Sequence, residues 1–197
     1  MYQIENTNSY KNWQQYTCER GKTPITWKDQ YKNFNWQETF MIDEIPTSDV
    51  WNTYATTAKY EFENFLRSKK IPKECTRHYM ALNPKLDNEF LSVLDFYKNR
   101  KHHYNFLKIT PACSLVWHCD TYATFVKHNN ISAEHSSNIS RTIVMLEDWS
   151  IGQTIQIGNS FLHKWSKGDT YTWKGDQWHG AANFGYEDLV IMQITWL

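Results

Sequence analysis

Apolar side chains change their spacing near residue 104. Upstream, Val50, Tyr54, Ala58, Phe62, Phe65 and Leu66 recur every three or four positions, the stripe that an amphipathic helix buries. Thr47, Ser48 and Asp49 stand just before it with N-cap side chains, which predicts a helix over about 50–69. A second stripe starts near Pro84 and runs through Leu86, Phe90, Val93, Leu94 and Tyr97. Both helices are expected to pack on the outside of a β core rather than against a partner helix. A short strand is expected around 40–42.

Beyond residue 104 the period shortens to two. Strands are predicted at 104–110, 113–120, 122–127, 140–147, 153–157, 160–165, 169–174, 177–182 and 188–196, separated by turn residues such as Gly158-Asn159 and Lys174-Gly175-Asp176. Many short strands with no helix between successive pairs point to an antiparallel sandwich or jelly roll, not a parallel α/β sheet. The polar stretch 128–138 reads as a loop that covers a site or lies as a surface insertion. The chain is expected to form one domain, with residues 1–103 supporting a β core at 104–197.

Composition narrows the partners. Lys+Arg and Asp+Glu balance at 21 each, so the broad electrostatic pull behind non-specific nucleic-acid binding is missing. Cys18, Cys75, Cys113 and Cys119 show no CxxC pairing, and reduced thiols in a reducing compartment are the expectation. No apolar run approaches the roughly 18 residues of a membrane span, and no leader pattern opens the chain, so a cytoplasmic protein without a membrane partner is expected. Ten Trp and twelve Tyr mean that rings with polar tips fill much of the interior.

The chemistry concentrates in His118-Cys119-Asp120 and, 61 residues later, His179. On a strand, positions i and i+2 share a face, so His118 and Asp120 point together. A helix would set them about 200° apart. Two imidazoles and a carboxylate on one side of a metal leave its other positions open, and they suit Fe(II), Mn(II) and Zn(II) alike. Taken singly, each histidine is better read as a satisfied core or surface residue; the three together in strand context point to a metal site. Arg141, in the apolar strand Ser140–Leu146, needs an anion or an exit to solvent. Tyr122, Trp173 and Trp178 are candidate pocket walls, and Asn183 and Gln193 candidate hydrogen-bonding groups in apolar strands. His78 could approach the pocket, while the remaining histidines have no ligand spacing to the three.

These residues resemble the Fe(II)- and 2-oxoglutarate-dependent oxygenases, in particular small stand-alone members of the aspartyl/asparaginyl- and prolyl-hydroxylase-like groups. The likeness covers roughly residues 104 to 197 and includes Arg141–Trp149, Trp165–Trp173 and Asp188–Thr195 besides the HxD…H pattern. It implies a double-stranded β-helix (a cupin-like jelly roll, mainly β) with two packed helices. It also implies Fe(II) held by His118, Asp120 and His179, with 2-oxoglutarate as cosubstrate and O2 as oxidant. The activity implied is that of a hydroxylase acting on an unactivated C–H bond of a small-molecule, amino-acid-like or peptide substrate, with release of succinate and CO2. Asp120 sets the chain apart from related halogenases, which carry a small residue there. Many relatives bind the far carboxylate of 2-oxoglutarate with a cation about ten residues after the distal histidine, but Phe184–Thr195 contains none. Arg141 is therefore the expected anchor, with Lys127 as the weaker alternative and Tyr122, Trp173, Asn183 and Gln193 around the cosubstrate. The rival readings are a cupin-like metal-binding protein or enzyme that uses no 2-oxoglutarate, and a non-enzymatic jelly roll in which HxD is a coincidence.

Overall fold

A computed structural model describes residues 18–24, 27, 29–41, 64, 66–120, 122–131, 138–174 and 177–197. Of the first apolar stripe only Leu66 belongs to these residues, and it is buried; the N-cap at 47–49 and the strand end at Ile42 lie outside them.

Eleven strands are present among the described residues: β1 (Glu19–Lys22), β2 (Gln37–Phe40), β3 (Arg77–Leu82), β4 (His102–Ile109), β5 (Cys113–His118), β6 (Ser140–Met145), β7 (Gln153–Ile157), β8 (Ser160–Leu162), β9 (Asp169–Lys174), β10 (His179–Asn183) and β11 (Leu189–Trp196). They form two sheets, ordered β1-β9-β6-β11-β4-β3-β2 and β5-β10-β7-β8, and every described pairing is antiparallel. From β4 onward the chain passes repeatedly between the sheets, which gives the four-against-four arrangement β4-β11-β6-β9 over β5-β10-β7-β8. This is the expected mainly-β, cupin-like double-stranded β-helix. β1, β2 and β3 widen the larger sheet at both edges.

The period-two pattern fixes which face each residue serves. Leu107, Ile109, Ile143, Met145, Ile155 and Ile191 fill the space between the sheets. The intervening Phe106, Val144, Met192 and Ile194 face the other way, where Phe90, Val93, Leu94 and Tyr97 cover them. Those covering residues belong to α1 (Asn88–Leu91) and the 3-10 turn Ser92–Tyr97. Asp87 caps α1 by accepting from the Phe90 N–H at 2.9 Å, which satisfies one of the orphan donors of a helix start. The second stripe thus does pack on the outside of the barrel. Phe90, fully buried and edge-on to Phe106, is its anchor. Phe90→Ala is expected to cost about 3–5 kcal/mol in urea unfolding, while leaving metal binding by the folded protein unchanged.

One predicted strand is a helix. Residues 122–127 were expected to be extended, but Ala123–His128 forms α2. Tyr122 precedes it at φ 52°, and Tyr122, Phe125 and Ile139 gather into a small cluster with Val126 and Ile131. Spacings of three and four residues serve that cluster, and an apolar run this short does not reveal its period. The hairpin at Gly158-Asn159 is as expected, with Ile157 opposite Ser160. None of the four cysteines is in a disulfide. No helix among the described residues is long and apolar enough to cross a membrane.

Candidate metal centre

β5 and β10 lie side by side with His118 opposite His179. Between this pair and Leu115 opposite Ala181 the register shifts, so β5 carries one more residue than β10. Such a bulge re-aims side chains and frees backbone groups from the ladder. Here the Val116 carbonyl is freed to accept from His118 Nδ1 at 2.7 Å, while the Val116 N–H meets Met41 Sδ at 3.0 Å. Gly180 sits against the bulge, where a Cβ would come within 3.0 Å of the Leu115 carbonyl oxygen.

His179 is oriented in the same manner, its Nδ1 donating to the Gln177 carbonyl at 2.9 Å. Both rings therefore carry the proton on Nδ1 and turn Nε2 toward the centre. Backbone partners of this kind fix the tautomer that ligates a metal. The ring centroids are 4.3 Å apart. Asp120 completes the group, with Oδ1 3.9 Å from His118 Nε2 and Oδ2 3.7 Å from His179 Nε2. One ligand atom from each residue lies within 4.8 Å of the others, close enough for a single ion to bridge them. A donor set of two neutral imidazoles and one carboxylate fits a borderline divalent cation.

The electrostatics agree with that fit. Burial by itself would raise the Asp120 carboxyl, but Arg141, His179 and His118 outweigh it and hold it well below the usual carboxylate range. Burial depresses His179, which favours the neutral, ligating form. Arg141 Nη2 donates to Asp120 Oδ2 at 2.9 Å and Nη1 to Gln193 Oε1 at 3.4 Å. Its guanidinium lies over the Tyr122 ring, 5.1 Å from the centroid.

A pocket opens beside the cluster. Polar His78, Asn105, Arg141 and Gln193 line it together with the three candidate ligands. The rest of the wall is mainly apolar, with Met80, Leu107, Ile155 and Ile191 among it. Trp173 lines it too, its ring 5.0 Å from that of His179. The structure thus brings His118, Asp120, His179, Arg141, Trp173 and Gln193 together. It does not bring Asn183 there: Asn183 Nδ2 donates to the carbonyls of Ile109 and Glu187, and Oδ1 accepts from the Gly185 N–H. That amide pins the turn at the opposite end of β10, so its expected place at the cosubstrate is corrected. Tyr122 contacts Arg141 from below rather than lining the pocket, and Lys127 is exposed on α2. Sequence reasoning passed over Asn105, although it shares the inward parity of Leu107 and Ile109; a polar side chain at a core-facing position was the available signal.

Neither a protein-family model nor a curated protein matches the chain. Solved structures resemble it in strand arrangement only. One from Thermotoga maritima, described as a predicted oxalate decarboxylase, is 15% identical, with 61% of this chain and 81% of that chain covered at a TM-score of 0.39. A cupin domain from Bordetella pertussis is 10% identical, with coverages of 60% and 91% and a TM-score of 0.37. A Cupin_2 domain of an XRE-family transcriptional regulator from Enterobacter cloacae is 8% identical, with coverages of 60% and 94% and a TM-score of 0.39. Nothing about ligand or activity transfers at such values. The fold assignment stands on the strand order and register.

Proposed function

We propose that His118, Asp120 and His179 bind a divalent metal, most specifically Fe(II), in an enzyme that oxidises an organic substrate with 2-oxoglutarate and O2. The observation that carries the reading is the convergence of two Nε2 atoms and one carboxylate beside an open pocket that holds a buried arginine. Counting charge supports it further. A divalent ion with Asp120 and Arg141 leaves the site at about +2, which favours an anionic ligand in the open positions. Bound Fe(II) would supply the O2 chemistry that hydroxylates a C–H bond while 2-oxoglutarate yields succinate and CO2. The chain's own part is to fix the ligand set through Val116 and Gln177, to hold an acid against Arg141, and to shield the reacting groups with an apolar wall. Protein supplied with Fe(II) and 2-oxoglutarate is expected to form succinate, slowly even without a substrate, and Asp120→Ala to form none. Equal turnover in that variant would remove the assignment.

A second reading has one observation in its favour. Arg141 bonds the candidate metal carboxylate itself, so it stands at the metal end of a bound acid rather than a five-carbon chain away. Among the described residues lining the pocket it is the sole Lys or Arg. A cupin-like metal enzyme that takes a shorter acid and no 2-oxoglutarate uses the same geometry. Calorimetry with 2-oxoglutarate on wild type and Arg141→Ala separates the two, because only the oxygenase reading requires tight binding that the substitution destroys.

A further inference from the structure

Two buried polar atoms on pocket-lining residues, Asn105 Oδ1 and Trp173 Nε1, lack a hydrogen-bond partner, and Arg141 Nε has none beyond the Tyr122 hydroxyl beside it. A buried polar group left unmet costs about 1–3 kcal/mol, and such groups gathered beside an open pocket mark where a ligand or an ordered water is held. These three are ordered by the sheet. β9, β6, β11 and β4 are consecutive neighbours, and they carry Trp173, Arg141, Gln193 and Asn105 respectively. Trp173 stands opposite Arg141 and Gln193 opposite Asn105 in the strand register. Between β6 and β11 the row steps by two residues, since Arg141 is opposite Thr195 and Gln193 opposite Ile143, and the Arg141–Gln193 hydrogen bond spans that step. The result is a polar row across the inner face, with two N–H donors at one end and a carbonyl acceptor at the other. Across three strand spacings and one two-residue step it runs about 16 Å between outer Cα positions. Arg141 ties its donor end to the metal cluster through Asp120.

The chemistry of the row selects a ligand. A guanidinium N–H and an indole N–H suit an anionic oxygen. The Asn105 carbonyl needs a donor, which 2-oxoglutarate and other simple oxo acids lack. We propose that the pocket binds an organic acid that also carries a hydroxyl, amino or amide N–H group, its carboxylate at Arg141 and Trp173 and its donor at Asn105. The proposal deepens the second of the two readings, in which Arg141 holds a shorter acid and no 2-oxoglutarate, by naming the class of that acid, and it rests on the proposed function for the position of the metal.

The test is calorimetry on Mn(II)-loaded protein without O2, using pentanoate, 2-aminopentanoate, 4-hydroxypentanoate and 5-aminopentanoate as probes. At least one donor-bearing acid is expected to bind ten-fold or more tighter than pentanoate. Asn105→Leu should abolish that excess, read as the ratio of each acid's affinity to that of pentanoate in the same variant, whereas Asn105→Asp, which keeps an acceptor, should retain it. Trp173→Phe should weaken all four acids about ten-fold, pentanoate included. Parallel Mn(II) titrations of each variant separate the two failures. A wild type that takes up no metal refutes the proposed function, and the acids are then compared on the metal-free protein. The inference is overturned if no acid binds, if no donor-bearing acid exceeds pentanoate, or if the excess survives Asn105→Leu.

Discussion

Asp120→Ala is expected to lower metal affinity by more than about 100-fold, beyond what loss of a ligand's supporting partner does. It should also destabilise the metal-free protein by about 3–5 kcal/mol. The second effect comes from Arg141, whose side chain is only 12% exposed and which would keep the longer contact to Gln193 and the Tyr122 ring but no anion. Removing one member of a buried pair strands the other charge, whereas removing both is often close to neutral. The double variant Asp120→Ala/Arg141→Met should therefore regain most of the lost stability and none of the metal affinity. Urea unfolding in the presence of chelator checks the first half and metal titration the second. A double variant no more stable than Asp120→Ala would mean that Arg141 acts there by packing alone.

Arg141→Met alone probes the same pair from the other side. Without the guanidinium, the Asp120 carboxylate loses the strongest of the charges that hold its pKa down. The metal-free variant should lose about 3 kcal/mol. A bound divalent ion restores a counter-charge at the same oxygen atoms, so the metal-saturated variant should lose much less. The rise in Tm on adding Mn(II) is expected to be larger for the variant than for wild type. Equal rises would show that arginine and metal do not share Asp120.

Much of this arrangement was written in side-chain periodicity. The β-core strands from 104 onward were legible because alternation places Leu107, Ile109, Ile143 and Ile191 on one face and Phe106, Val144 and Met192 on the other. β1 was not, since Glu19–Lys22 is exposed throughout and carries no apolar signal. β3 escaped notice because His78 is buried beside partly buried neighbours, and a buried histidine reads as polar. α2 was mistaken for a strand because six residues span less than two helical turns.

The site was legible as a set of residues but not as a set of partners. HxD spacing put His118 and Asp120 on one face, and the distal histidine followed from its strand. The bulge in β5, the two Nδ1 bonds to backbone carbonyls and the Arg141–Asp120 pair depend on register between distant strands, which local sequence does not encode. The same holds for Asn183: a polar side chain in an apolar strand looks alike whether it serves a ligand or pins a turn.

Anaerobic titration of chelator-treated protein with Fe(II), run beside His179→Ala, tests the central claim most directly. Binding of one equivalent by wild type, with loss of that binding in the variant and an unaltered fold, is the predicted result. Wild type that takes up no ion, or a variant that binds as well as wild type, would contradict it.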